Sequence, residues 1–432
     1  MLEILSKLEG FQNFLISLHK EHGPIASFWI GTKLVVSIGE AELFKTQSHV
    51  FDKPAELFEL YREVIGASSI LFANGAEARK RRRHIDEVLS GPREPAPSLH
   101  LSVVTQLCSE VVDVLHGMPE DEHMPAYQYV YALCMKTCTR LLFGEFFFDD
   151  KQVLKFSRTF ELCIKELEEM AGGMVFDSGS PRTKQYEEAI KDMRSLLAQA
   201  LRKCKAGGEG TLLADVLNKS AASEEQAVDD CITFAVKGYS LVSAMTWLLY
   251  FLATHPELQD AIAEEAKQTL DKARPLTRQD LTNMKSVQNT IKETLRTATI
   301  EPWAARCQDV DVEIGGHIIP KKTPVIQALG VVLHEENKWK VPHRFDVSRF
   351  EGAPEEEEER VWLCPFGFAG KRQCPGRELS VLVMGVFLAS LCPRLRLQPV
   401  PDQVVAPTSA LVTRPQEEVW LTLRKRQGPP AS

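Results

Sequence analysis

Apolar and polar positions near the N-terminus alternate in a way that predicts two short strands. Residues 25–30 and 34–38 are rich in β-branched and aromatic side chains, and the turn residues Gly31-Thr32-Lys33 separate them. This arrangement predicts a β-hairpin. Beyond the hairpin, apolar residues recur at helical spacing to about Leu217, which predicts a long, mostly helical region.

One segment in the middle of the chain predicts an unusually long helix. It runs from Ser223 to Thr254, with acidic residues in its first turn and Pro256 just after its end. At 1.5 Å per residue, roughly 30 residues span about 45 Å, which is enough to cross a whole domain. Further helices are predicted over 257–270 and 281–297, whereas residues 304–332 have a strand-like pattern.

Length and composition favour one large globular domain. The chain has 432 residues, of which 44% are hydrophobic, and no linker-like stretch or internal repeat divides it. We therefore expect residues 1–432 to form a single domain, mainly α-helical with a smaller β part. Ten cysteines without a paired framework indicate a reducing compartment.

The charge of the chain gives no support for nucleic-acid binding, because the net charge is −8. The basic run at 79–83 would, on its own, suggest a localisation signal or a nucleic-acid patch. The run of carboxylates at 355–359 repels itself and predicts a solvated loop rather than a metal site.

No segment is predicted to span a membrane. The longest apolar stretches, 244–253 and 381–391, fall short of the roughly 18 residues that mark a spanning helix. Two interpretations of the N-terminal segment stay open: it is an amphipathic helix packed on the domain, or its apolar face touches a membrane. That face consists of Leu5, Leu8, Phe11, Leu15 and Leu18.

The most specific chemical feature surrounds one cysteine near the C-terminus. Cys374 lies in the stretch FGFAGKRQCPG (366–376), just before an apolar helical segment at 377–392. A helix N-terminus and the neighbouring Lys371 and Arg372 favour the thiolate, so we expect Cys374 to ionise readily. A thiolate presented in this way suits the axial position of a haem iron when the task is cleavage of an O–O bond.

Two further motifs accompany the cysteine. Glu293 and Arg296 are three residues apart on a predicted helix, so their side chains meet on one face. The segment 345–350 can supply a second guanidinium, from Arg349, to the same carboxylate.

The order Glu-x-x-Arg, then Arg-Phe, then the cysteine loop resembles that of the cytochrome P450 superfamily. The resemblance runs over nearly the whole chain. Within the superfamily, the amino-acid sequence resembles family 20, an orphan branch, in segments such as 184–187 and 328–333. It implies a mainly α fold with a long central helix on the distal side of a haem and the cysteine loop on the proximal side. It also implies haem b as the cofactor, Cys374 as the iron ligand, and a structural triad of Glu293, Arg296 and Arg349.

The resemblance implies that the haem propionates are held by Arg82, Arg306 and Arg372, and it places the basic run 79–83 on a proximal helix. The chain departs from the family pattern at two nearby positions. Ala78 replaces a tryptophan four residues before Arg82, and Gly367 replaces the aromatic residue seven before Cys374.

The distal helix departs further from the pattern. The family usually has an acid followed by a hydroxyl residue that relay protons, and alignment on Trp247 and Pro256 places Tyr239 and Ser240 at these two positions. A phenol with an ordinary pKa of about 10 is a poor proton source at neutral pH. Ser240 is therefore either a partial proton relay or a helix serine bonded to a carbonyl one turn back.

The resemblance implies a haem-thiolate monooxygenase that inserts one oxygen atom from O₂ into an apolar small molecule. Ile300, Pro302 and Trp303 are candidate contacts for that substrate. The position of Tyr239 keeps an alternative open, a haem-thiolate isomerase or dehydratase that needs no reductase. A haem-binding protein without turnover is the third possibility.

The expected electron source is NADPH through NADPH–cytochrome P450 reductase, with a cytochrome b-type protein as a further candidate donor. By resemblance, the expected location is the cytosolic face of the endoplasmic reticulum membrane. The usual N-terminal anchor is absent from this chain, so we expect membrane-surface contact in a full-length form. No nucleic-acid partner is expected.

Overall fold

Helices form most of the secondary structure in the computed structural model, which describes residues 10–90, 99–207, 223–270, 274–352, 364–368 and 370–426. The helices are α1 Phe11–His22, α2 Ala41–Thr46, α3 Arg62–Ile65, α4 Gly75–Ser90, α5 Leu99–Gly117, α6 Ala126–Phe143, α7 Asp150–Ala171, α8 Pro181–Gly207, α9 Glu224–Thr254, α10 Pro256–Thr269, α11 Arg278–Asn283, α12 Lys285–Ala298, α13 Leu329–Leu333 and α14 Arg377–Leu391. The strands are β1 Ile25–Ile30, β2 Lys33–Ile38, β3 Met124–Pro125, β4 Ala304–Arg306, β5 Val312–Ile314, β6 His317–Ile319, β7 Val325–Gln327, β8 Leu395–Pro399, β9 Pro407–Ser409, β10 Thr413–Pro415 and β11 Trp420–Lys425.

The long helix predicted in the middle of the chain is α9, and its first turn is fixed by a capping box. The Ser223 hydroxyl accepts a hydrogen bond from the Gln226 amide at 3.1 Å, and the Gln226 side chain accepts one from the Ser223 amide. The helix packs against α6, α8 and α12, so it lies in the centre of the molecule. Its length and apolar composition would allow it to cross a membrane, but 72% of its most apolar window is buried inside the protein.

The main sheet confirms the predicted N-terminal hairpin. Strands β1 and β2 pair in antiparallel fashion, with Trp29 opposite Leu34. The sheet order is β1-β2-β7-β4, in which β2 and β7 are parallel and the other pairs antiparallel. Strands β3, β11 and β8 form a second sheet, and β5–β6 and β9–β10 form two separate pairs.

The structure differs from the sequence-based expectations at several elements. The helix expected over 281–297 is two helices, because Met284 leaves the helical conformation between α11 and α12. The strand-like region 304–332 contains four short strands but ends in the helix α13. Leu5, Leu8, Leu217 and the carboxylate run 355–359 lie outside the described residues.

The basic run at 79–83 is not one continuous surface patch. The Arg81 side chain is buried in an ion pair with Asp230 of α9, with 2.6 Å between Nη2 and Oδ1. Arg79 and Lys80 are exposed, whereas Arg82 points inward. Arg81 therefore ties α4 to the central helix.

Candidate active site

A cavity of about 290 Å³ lies between α9 and the loop that precedes α14. Side chains from α4, α6 and α12 complete its walls, and most of these are apolar. Cys374, Ser240, Arg82, Arg306 and Arg372, which the sequence analysis singled out, all line it. Residues more than 130 positions apart in the sequence are thus brought to one chamber.

The loop that carries Cys374 is folded by tight backbone contacts. The Cys374 amide donates a hydrogen bond to the Phe366 carbonyl at 2.7 Å, which closes the loop on itself. Gly370 has φ +103°, and a Cβ there would overlap the Ser48 carbonyl oxygen, so glycine is required at this position. Phe366 faces the cavity, whereas Phe368 turns away and packs edge-on against Phe44. Of the two aromatic residues beside Gly367, only Phe366 therefore contributes to the cavity wall.

For the polypeptide alone, the pKa of the Cys374 thiol is shifted upward, opposite to the direction expected from the sequence. Cys374 is exposed to the cavity, but the protein atoms packed around it raise the pKa of the thiol by desolvation, and the Glu301 charge acts in the same direction. Together these effects outweigh a hydrogen bond from Gly376 and the positive charges of Arg82 and Lys237, which favour the thiolate. Lys371 is exposed. A bound metal ion would deprotonate a coordinating thiol at this position outright.

Arginine side chains at one end of the cavity are held by backbone carbonyl groups. Arg372 donates to the carbonyls of Phe51 and Ile70 at 3.0 and 3.1 Å. Arg306 donates to those of Ala305 and Gly367 at 2.9 and 3.3 Å. Burial and the neighbouring guanidinium groups lower the pKa of Arg372 to about 9, and burial and Arg82 lower that of Arg306 to about 10.

Lys53 joins this group and was missed by the sequence analysis. Its ammonium group has no hydrogen bond or ion pair among the described residues and lies 5.2 Å from the centre of the Phe58 ring. Burial, followed by the charges of Arg372 and Arg306, holds the pKa of Lys53 well below its usual range. An isolated lysine in a loop carries no sequence signal for such a position.

Arg82 has its own partners. Its Nε donates to Asp86 at 2.7 Å, and its guanidinium also contacts the Gln373 carbonyl beside Cys374. Taken together, the end of the cavity that holds the arginines and Lys53 has more positive than negative charge, so it is suited to an anionic ligand.

Glu293, Arg296 and Arg349 come together in a buried cluster, as their spacing suggested. Both Glu293 and Arg296 are fully buried, and their two hydrogen bonds are 2.7 and 2.8 Å long. Arg349 donates to Glu293 at 3.2 Å, and the Asp346 amide donates to the same oxygen at 2.9 Å. The carboxylate is therefore fully engaged between α12 and the segment that leads toward the cysteine loop.

On α9, Ser240 faces the cavity and Tyr239 does not. Tyr239 points to the opposite side, where its hydroxyl lies 3.5 Å from Glu168, and burial raises its pKa to about 12. Ser240 donates a 2.7 Å hydrogen bond to Glu301 rather than to a carbonyl one turn back. Lys237 lies 3.3 Å from the same Glu301 oxygen. Sequence analysis missed Glu301 because it lies 61 residues from Ser240.

The segment after α12 also supplies apolar contacts. Ile300 and Trp303 line the cavity, and the Trp303 ring stacks on Phe58. Pro302 is not among the residues that line it, and its carbonyl accepts a hydrogen bond from the Gly330 amide at 2.9 Å.

Comparison with known families identifies the class of this protein. The cytochrome P450 family model matches residues 1–422, so the chain belongs to the cytochrome P450 family. Family members use a haem cofactor, and relatives of this chain are named as monooxygenases and hydroxylases. The protein is accordingly a cytochrome P450 monooxygenase.

The individual relatives agree with the resemblance to family 20. Mouse cytochrome P450 20A1 is 32% identical over 421 residues, which cover 96% of this chain and 88% of that protein. Human cytochrome P450 20A1 is 30% identical with the same coverage. A zebrafish cytochrome P450 structure with progesterone superposes with a TM-score of 0.80 at 18% identity, covering 96% of this chain and 99% of the other.

Proposed function

We propose that the protein binds haem b in the central cavity, with Cys374 as the iron ligand, and oxidises an apolar small molecule. The observation that carries this proposal is that the Cys374 sulfur, on the loop before α14, shares one apolar chamber with an excess of cations. The two haem propionates would supply the negative charge that Lys53, Arg306 and Arg372 lack, close to Arg82, which already pairs with Asp86. The residues present therefore fit the cofactor that the family implies.

Different side chains of the protein have different roles around that cofactor. When bound, a haem with a thiolate ligand supplies the activation of O₂. Cys374 anchors the metal, and the arginines and Lys53 orient and neutralise the propionates. Ile300, Trp303 and the apolar face of α9 exclude water and contact the substrate. Ser240 presents a hydroxyl on the distal side.

We assign Lys53 a role in cofactor retention, and the variant Lys53→Met tests it. Without the cofactor, the Lys53 ammonium group is desolvated and repelled by the positive charges of Arg372 and Arg306. Its removal should therefore raise the melting temperature of the haem-free protein. With the cofactor, the loss of a cation should speed haem transfer to an acceptor protein several-fold. Lys45→Met removes an exposed lysine and should change neither quantity. Unchanged haem transfer in Lys53→Met would remove Lys53 from the proposed site.

For electrons, we propose NADPH–cytochrome P450 reductase as the donor, with a cytochrome b-type protein as a second candidate. Arg79, Lys80 and Lys371 are exposed on α4 and the cysteine loop, where an acidic partner would be attracted. By resemblance, the site of action is the cytosolic face of the endoplasmic reticulum membrane.

Reduction by the reductase should depend steeply on salt. Electrostatic attraction between exposed charges is screened as ionic strength rises, so the rate of haem reduction should fall between low and physiological salt. Lys371→Glu should slow reduction at low salt, whereas Lys151→Glu, a reversal at an exposed residue of α7, should not. Stopped-flow reduction measures both effects, and a rate independent of salt and of Lys371 would contradict this docking surface.

The isomerase or dehydratase alternative arose from the tyrosine at the expected acid position. A carboxylate, Glu301, contacts Ser240 directly, so the lack of an acid at position 239 no longer favours chemistry without proton delivery.

A further inference from the structure

Among the described residues that line the cavity, one has a carboxylate, Glu301. That carboxylate accepts a hydrogen bond from the Ser240 hydroxyl. Ser240 Oγ donates to Glu301 Oε1 at 2.7 Å, and Lys237 Nζ lies 3.3 Å from the same atom. A carboxyl group within hydrogen-bond reach of a hydroxyl is a competent proton donor and acceptor.

The backbone holds Glu301 in place from both sides. Thr299 ends α12 in the left-handed conformation, with φ 44° and ψ 60°, which turns the following residues toward α9. The Ile300 carbonyl then accepts a hydrogen bond from the Thr413 amide at 2.9 Å, and the Pro302 carbonyl accepts one from Gly330 at 2.9 Å. Glu301 lies between these two anchored residues, so its approach to Ser240 is built into the fold.

The other titratable groups near Glu301 are poorly suited to donating protons at neutral pH. Burial lowers the pKa of Lys237, but the Glu301 carboxylate and Tyr61 raise it, and the net shift is upward. Burial raises the pKa values of Tyr61 and of Cys138 on the facing helix α6. Cys374 is the proposed metal ligand and is therefore not a proton donor. Lys53 lies with the arginines, which lower its pKa, and has no contact with Ser240.

Monooxygenation requires protons in a fixed ratio: R–H + O₂ + 2 H⁺ + 2 e⁻ gives R–OH + H₂O, with the electrons from NADPH. We propose that Glu301 supplies these protons through Ser240, in place of the acid that α9 lacks. In the structure Ser240 Oγ donates to the Glu301 carboxylate. For each proton, the carboxylate first takes H⁺ from water and the hydrogen bond reverses; Ser240 Oγ then passes its own proton to the oxygen that is being reduced and takes one from the Glu301 carboxyl group, which returns to the carboxylate. Lys237 is a positioning residue that orients the carboxylate. This inference rests on the proposed monooxygenase function.

The central variant is Glu301→Gln, which keeps the shape and a hydrogen-bond partner for Ser240 but cannot transfer a proton. In the haem-loaded protein with reductase and no added substrate, we expect NADPH consumption to slow by about a hundredfold, the low end of what a positioned proton donor contributes. The pH profile of that rate should flatten. Glu168→Gln is the matched control, because Glu168 contacts the neighbouring Tyr239 outside the cavity.

A second measurement does not depend on turnover. Carbon monoxide bound to the dithionite-reduced protein reports on the polarity of the distal cavity through its stretching frequency. We expect that frequency to shift with pH in the parent and in Glu168→Gln, and to be independent of pH in Glu301→Gln. Glu301→Gln leaves Lys237 without its counter-charge. The double variant Glu301→Gln/Lys237→Met removes both charges, and its carbonyl frequency should also be independent of pH.

The two measurements separate failure of the relay from failure of the proposed function. If no reductase reduces the parent protein, the electron source is wrong, but the carbon monoxide experiment still tests Glu301. The relay is overturned if Glu301→Gln, with normal haem content and reduction, keeps the parent's rate and pH profile. It is equally overturned if the carbonyl frequency of Glu301→Gln follows pH as in the parent.

Discussion

Replacement of Cys374 by serine should abolish the strongly red-shifted Soret band of the ferrous carbonyl complex. The band arises from a thiolate opposite the bound carbon monoxide, and a serine oxygen cannot replace that ligand electronically. Serine is nearly isosteric, and the Cys374 amide bond to Phe366 is unaffected, so the loop should keep its fold. The measurement is the absorption difference spectrum of the reduced protein with and without carbon monoxide.

Cys138→Ser provides the matched control for that experiment. Cys138 also lines the cavity, from α6, but lies outside the loop that precedes α14. We expect this variant to keep the red-shifted band at full intensity. If Cys374→Ser retained the band, the assignment of the iron ligand would be wrong, and loss of the band in Cys138→Ser would point to Cys138 instead.

Glu293→Gln should be the most destabilising single substitution considered in this protein. It removes the charge that compensates the fully buried Arg296 and the nearly buried Arg349. Deleting one partner of a buried ion pair costs about 3–5 kcal/mol, which is a large part of a typical domain's stability. We expect a sharply lower melting temperature and a large loss of haem-loaded, soluble protein.

The chain contains a matched pair for comparison. Glu264 and Lys267 have the same i,i+3 spacing on α10, with 3.7 Å between their charged atoms, but both are well exposed. Exposed pairs of this kind contribute about 0–1 kcal/mol, so Glu264→Gln should melt almost like the parent. Equal melting temperatures for the two variants would show that the triad does not support the core around the cysteine loop.

The parts of the fold that were predictable are those with local sequence signals. The hairpin of β1 and β2 followed from alternation and a turn, and α9 followed from its cap, its length and Pro256. The contact between Glu293 and Arg296 followed from helical geometry alone. Local signals failed at Met284, where the chain breaks a helix, and at α13, whose five residues are too few to show a helical period.

The features that sequence reasoning missed depend on contacts between distant segments. Lys53 and Glu301 reach the cavity from short connecting segments, where the side-chain direction is set by tertiary contacts such as the Thr413–Ile300 hydrogen bond. The pKa of Cys374 was misjudged for a related reason. Helix and charge effects are visible in the sequence, but the burial that outweighs them is not.

The central claim is that the protein inserts one oxygen atom from O₂ into an apolar molecule, and isotopically labelled O₂ tests it most directly. The haem-loaded protein, with reductase and NADPH, is incubated with a panel of lipids and steroids under labelled gas, and the products are analysed by mass spectrometry. We predict a product that carries one labelled oxygen atom and whose formation requires NADPH. A product that forms without NADPH and contains no label would contradict the monooxygenase account and favour an isomerase or dehydratase.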